Sequence, residues 1–147
     1  MYEHFIMESS PKKRKALSTG LGALQVFIGL GAVIGGLALV LDPSGSNPGI
    51  PLEMLKSTPF STFLVPGLVL LMVNGIGSIV GATASLKIYK CAGEIAIALG
   101  FFLAVWILLQ VYWFAGFHWL HGLYLSLGLL ELILGWLLRK ELRRENH

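Results

Sequence analysis

Two stretches of this chain, residues 17–41 and 62–86, each run for 25 residues without a charged side chain. At about 1.5 Å of helical rise per residue, each can cross a hydrocarbon layer of about 30 Å. Two further apolar stretches follow, from Cys91 to about Phe117 and over residues 119–138, each carrying one carboxyl, Glu94 and Glu131. Only 13% of the 147 residues are charged and 55% are hydrophobic, with a mean hydropathy of +0.75. So few charges cannot supply the polar skin of a water-soluble domain of this size. The expected fold is an all-α, polytopic membrane four-helix bundle in one domain, up-down-up-down in chain order.

Charge position then sets the orientation. Ten of the eleven basic residues fall on one side: Lys12, Lys13, Arg14 and Lys15; Lys87 and Lys90; and Arg139, Lys140, Arg143 and Arg144. Only Lys56 falls on the other. The positive-inside rule places residues 1–16 and 139–147 as basic cytoplasmic tails around a transmembrane domain of residues 17–138 in the inner (plasma) membrane. Four spans require both termini to share a side, so span count and charge count agree. The first apolar run is too long for the core of a signal peptide and is expected to be a retained span. The string Pro11-Lys12-Lys13-Arg14-Lys15 resembles a nuclear-localisation signal, but juxtamembrane topology charge explains it as well.

The one long connection, residues 42–61, reads DPSGSNPGIPLEMLKSTPFS. Asp42-Pro43-Ser44-Gly45 and Pro48-Gly49 are turn signals. Pro51 to Lys56 can form one or two helical turns. Its apolar residues, with Leu52 and Leu55 foremost, predict a Pro/Gly-containing outer loop that caps the helix ends between spans one and two.

At about 100° per residue, faces can be assigned by arithmetic. Span one places Gly22, Gln25, Gly29, Ala32 and Gly36 within about 80°. Span two aligns Gly67, Asn74, Gly77, Gly81 and Ser85. Span four aligns His121, Tyr124, Gly128, Glu131 and Gly135. Span three gathers Gly93, Ala96, Gly100, Ile107 and Gln110 on one side. Small residues let backbones approach, and lipid offers polar groups nothing, so these stripes are expected to face inward. Leu123, Leu127, Leu130, Leu134 and Leu137 are expected to face lipid. Gly31–Gly35 and Gly77–Gly81 are formal GxxxG pairs, compatible with a homo-oligomer.

Glu131, Gln25 and Asn74 are the candidate ligand or proton site. Counted from the cytoplasmic end they lie about 10, 12 and 18 Å deep. Such a cluster serves either a proton- or cation-coupled site, a polar ligand pocket, or hydrogen bonding that fixes packing. A carboxyl there is expected to be neutral or hydrogen-bonded. His118 and His121, at i, i+3 spacing beside Trp119, are the only candidates for a metal or haem site. With Tyr112, Trp113 and Tyr124 they equally form an interfacial aromatic belt. Glu94, one turn after Lys90, is expected to be an interfacial carboxylate. Cys91 is the only cysteine, so no intramolecular disulfide or Cys-x-x-Cys site exists. No nucleophile elbow, P-loop or dinucleotide fingerprint appears, and no cofactor is identified. The basic tails point to anionic lipid headgroups of the bilayer and not to nucleic acid.

The segment DPSGSNPGIPLEMLKSTPFSTFLVPGLVLLMVNGIG, with WILLQVYWF and HWLHGLY downstream, resembles a group of small uncharacterised bacterial four-span inner-membrane proteins. In size and span count the chain is also similar to DoxX-like proteins, at the level of fold alone. Neither resemblance implies site residues. The functional expectation is a non-enzymatic accessory or partner-binding subunit. The alternatives are a small proton-coupled transporter or ligand-binding protein using Glu131, Gln25 and Asn74, and a membrane redox enzyme using His118 and His121.

Overall fold

A computed structural model describes residues 11–114 and 118–145 of the chain. His4, His147, most of the N-terminal tail and the end of the third predicted span lie outside the described residues. Among the described residues there are four long helices and no strand. They are α1 (Pro11–Leu41), α2 (Leu64–Leu86), α3 (Ala92–Trp113) and α4 (Trp119–Glu145), and each is long and apolar enough to cross a membrane.

Two helices run further than their apolar stretches. Pro11 to Lys15 continues α1, and α4 continues through Arg139 to Glu145. Lysine and arginine are good helix formers, and here their charges find partners across the two helices. Lys13 Nζ lies 3.4 Å from Glu141 Oε1, and Arg14 pairs with Glu145. The start of α1 and the end of α4 therefore lie at the same end of the molecule. Glu94 pairs with Arg139 at 3.1 Å, which ties α3 to that end as well.

Glycines set how the helices pack. Gly36 of α1 sits so close to Leu71 that a Cβ there would come within 2.7 Å of its backbone nitrogen, and Gly75 of α2 bears on Val33 in the same way. Gly100 of α3 lies against Gly128 and Leu132 of α4, while Gly93 lies against Arg139 and Gly135 against Ala96. Residue numbers rise on one helix as they fall on its neighbour, so each pair is antiparallel. The α1/α2 and α3/α4 hairpins then meet along α1–α4 and along α2–α3, where Leu99 covers Gly77 and Gly81. Gly31 and Gly35 face Tyr124 and Leu70 of this same chain.

The inward stripe of α1 is buried throughout: Gly22, Gln25, Gly29, Ala32 and Gly36. In α2, Gly67, Asn74, Gly81 and Ser85 are buried and Gly77 is half-buried. The leucine side of α4 follows the sequence reading only in part: Leu123 and Leu130 are exposed. Leu127 and Leu134 are half-buried and pack against the two apolar cores. They lie only about 40–60° around the helix from Glu131, so they flank the buried face instead of opposing it. Leu129, Ile133 and Trp136 occupy the exposed side.

Two backbone features have no counterpart in a regular helix pattern. Leu70–Ile76 of α2 is a π-helix, so α2 carries a wider turn around Asn74. At the C-terminus of α2, Tyr89 N–H donates to the Ala84 carbonyl and Ile88 N–H to that of Ser85. This closure requires a left-handed residue, usually glycine, and Ile88 supplies it at φ 54°.

The connection between α1 and α2 is internally tied. Asp42 accepts from Ser44 Oγ at 2.5 Å and from Asn47 N–H at 2.8 Å. Gly45, at φ +76°, turns the chain under the Phe63 ring, and Phe63 N–H donates to the Pro43 carbonyl. A 3-10 turn spans Leu52–Leu55 with Pro51 as its N-cap. Leu55 is buried and Leu52 is exposed. Phe60 meets Trp113 of α3 edge to face at 5.6 Å.

Candidate functional site

Polar side chains inside the helices form two separate arrangements. The first is closed. Gln25 Nε2 donates to Glu131 Oε1 at 3.2 Å, and Ser85 Oγ donates to Gln25 Oε1 at 2.7 Å. All three side chains are fully buried. Gln25 thus spends both ends of its amide, joining α1 to α2 on one side and to α4 on the other. Gly81 makes room for it, since a Cβ there would come within 2.9 Å of Gln25 Nε2. Glu131 Oε2 has no partner among the described residues.

Asn74 does not join this set. It lies 11 residues before Ser85 on α2, about 16 Å nearer the end bearing the 42–63 loop. It is 2% exposed, and its Nδ2 has no hydrogen-bond partner among the described residues. Asn74 lines instead a cavity of about 560 Å³ between the helices. Ile28, Gly31, Ala32 and Gly35 of α1 form one wall, and Leu103, Trp106, Ile107 and Gln110 of α3 form another. His121 and Tyr124 of α4 close a third side, and Pro48 to Pro51 and Met54 of the loop border it. Trp106 is 8% exposed, and its Nε1 also has no partner among the described residues. Neither Glu131 nor Gln25 is among the described lining residues. The three residues grouped by sequence therefore divide: Gln25 and Glu131 come together, with Ser85, and Asn74 belongs to the cavity.

The two histidines finish the start of α4. Leu120 N–H donates to His118 Nδ1 at 3.3 Å, and His118 N–H donates to His121 Nδ1 at 3.0 Å. This is a reciprocal cap, in which the residue before the helix and the third residue within it each satisfy a backbone donor. The rings stand 6.4 Å apart at 82°. Among the described residues, no group of three His, Cys, Asp or Glu side chains could hold a metal ion.

Sequence reasoning passed over Ser85, Trp106 and Glu141. Ser85 stood on the inward stripe of span two, but a serine there gives no sign of which amide it serves. Trp106 shares a face with Leu103, Ile107 and Gln110 at i, i+3, i+4, i+7 spacing, which would have found it. Glu141 is 2% exposed, between Lys13 at 3.4 Å and Arg144 at 3.5 Å. No protein-family model, curated protein or solved structure matches this chain, so no relative's activity can be brought to these residues.

Proposed function

We propose that this chain is a multi-pass protein of the cell's inner (plasma) membrane that holds a small lipid-soluble molecule in the cavity between its helices. Binding is the function, and no reaction is assigned to it. The observation that carries the reading is the cavity itself, at a volume usual for small-molecule sites, with a lining that is chiefly apolar and includes Asn74, Gln110 and Tyr124. Both tails lie in the cytoplasm on this reading, because ten of eleven basic residues belong to that side and the ends of α1 and α4 are ion-paired. Proton coupling through Glu131 is disfavoured. A relay needs a path to the carboxyl, and Glu131 is sealed with Gln25 and Ser85 away from the cavity.

The test uses Gly35, whose added Cβ would meet only Leu70 Cδ2 at 3.4 Å, so a larger side chain can grow into the cavity. Wild-type protein and Gly35→Leu are purified in nanodiscs, extracted with organic solvent and compared by mass spectrometry. A compound enriched with the wild type over empty discs, and depleted from the variant, is the expected result. Extracts identical to empty discs for both proteins would overturn the proposal.

A further inference from the structure

The cavity is elongated, closed at one end and open at the other. Its lining runs from Ile28 to Leu39 on α1 and from Leu103 to Phe114 on α3, a helical length of about 16 Å on each. Dividing about 560 Å³ by that length gives a mean cross-section of about 35 Å², so the space is much longer than it is wide. Toward the paired tails it ends blind. Ile28 and Leu103 are 1% and 2% exposed and pack in one apolar cluster with Leu24 and Leu127, and one turn further along α1 Gln25 bonds to Glu131. Toward the loop it opens. Leu103, Trp106 and Ile107 of α3 are buried, whereas Pro51 and Met54 of the loop and Leu120 at the start of α4 are exposed. The exposed Tyr112 and Trp119 stand at that same end, as aromatic residues of a membrane–water interface do.

Resting on the binding function above, we propose that the cavity takes the hydrocarbon tail of an amphiphile, whose polar head stays outside the mouth between the loop and the start of α4. The described lining contains no Asp, Glu, Lys or Arg, so a charged or zwitterionic head inside would lie unpaired at membrane depth, where the cost is greatest. A tail meets the wall of Ile28, Leu103 and Ile107 and is removed from water there. An amphiphile of the outer leaflet already holds its head at the interface and its tail along the helix axes, so it enters without turning over. The blind floor makes this a binding site and not a conduit, and the tail leaves by the mouth it entered. Two sources offer this chemistry, a bilayer phospholipid and a free single-chain amphiphile.

The experiment reads Trp106, which is 8% exposed and lines the cavity. Trp113→Phe, Trp119→Phe and Trp136→Phe are combined in the full chain, leaving Trp106 as the one tryptophan. A second protein keeps only Trp136, which is 51% exposed on α4 and reports probe dissolved in the bilayer. Both proteins, in unbrominated nanodiscs, are titrated with stearate brominated at mid-chain, since bromine quenches indole emission on close approach. Trp106 emission is expected to fall saturably. Gly35→Leu is expected to remove that loss and to leave the quenching of Trp136 unchanged. Should Gly35→Leu lower the melting temperature, Ala38→Leu on the same wall decides the point. Discs of phosphatidylcholine brominated at mid-chain separate the sources. Quenching of Trp106 there, removed by Gly35→Leu, identifies bilayer lipid as the occupant, and quenching by stearate alone identifies a free amphiphile, with the tail assignment upheld in both. Trp106 left unquenched by either probe while Trp136 is quenched would overturn the assignment, as would quenching that both filling variants leave untouched. Quenching by brominated octadecane where neither amphiphile quenches would put a wholly apolar ligand in its place and leave the binding function standing. A compound depleted from the Gly35→Leu extract while no probe reaches Trp106 would also overturn the tail alone, whereas extracts identical to empty discs would remove the binding function itself.

Discussion

Alanine in place of Gly100 should loosen the α3–α4 contact. An ideal Cβ at Gly100 would sit 2.6 Å from the Gly128 carbonyl oxygen and 2.7 Å from Leu132 N, while ordinary contact begins at 3.4 Å. The shortfall is 3.4 − 2.6 = 0.8 Å, and both obstructing atoms are backbone, so no rotamer change can relieve it. The two helices must part by about that amount. A gap of about 0.5–1 Å forfeits a quarter to a half of each atomic contact it opens. The loss would spread along the interface, where Gly93 and Gly135 make similarly close approaches. Overpacking of this kind costs about 1–3 kcal/mol. Alanine also gains about 1 kcal/mol of helix propensity over glycine, which would mask part of the cost. Gly20→Ala corrects for this, because Gly20 is exposed on α1 and its Cβ would meet nothing within 4 Å. Denaturant unfolding in mixed micelles should rank Gly100→Ala below Gly20→Ala by about 1–3 kcal/mol. Equal stability, or Gly100→Ala the more stable, would refute close backbone approach as the basis of the α3–α4 interface.

Reporter fusions at both termini should read cytoplasmic, and periplasmic activity at either end would defeat the four-span orientation. Glu131→Gln should fold as the wild type does, whereas Glu131→Leu leaves Gln25 Nε2 without its acceptor and should destabilise by about 1–3 kcal/mol in the same unfolding assay. The Asp42 carboxyl is held below its ordinary value of 3.8, first by the Ser44 hydroxyl and then by Asn47 N–H. Its contribution to loop order is therefore complete above that value and lost as pH falls through the lower, folded one. Protection of the Asn47 amide against exchange, relative to an unstructured amide at the same pH, should fall only in that acid range, and Asp42→Asn should abolish the dependence.

The inward faces were legible because the stripes of α1 and α4 keep a 3.6-residue period, and Gln25 and Glu131 each stand on one. Their contact follows from antiparallel neighbours of matching depth. Leu123 and Leu130 of α4 are exposed as expected, but Leu127 and Leu134 misled, because a leucine run beside a glycine stripe looks like a second face although these two stand at its shoulder. Asn74 was placed on the correct face and in the wrong company. Its depth of about 18 Å, against about 12 Å for Gln25, already set it apart, and nothing in LLMVNGI announces the π-helix that surrounds it. The histidines illustrate a different limit. Their i, i+3 spacing serves a metal site and a helix cap alike, and only the positions of Leu120 N–H and His118 N–H distinguish the two.

Glycine does two opposite things in α1, and the difference bears on what the cavity is for. Gly29 and Gly36 are filled from outside, with Ile79, the Gly75 carbonyl and Leu71 pressed onto them. Gly35 has only the end of Leu70 near it, at 3.4 Å, and Gly31 meets only the tip of the Tyr124 side chain, at 2.6 Å. Both line the cavity. Interiors are packed to crystal density as a rule, and larger side chains at these positions would close much of the space. A lock such as Ser85–Gln25–Glu131 needs no void, and both ends of the Gln25 amide are paired across three helices. In the other half of the same helices, small residues line open space, which lowers packing there. Stability alone does not favour such a space, whereas a bound molecule with an apolar body would fill it and restore the lost contacts.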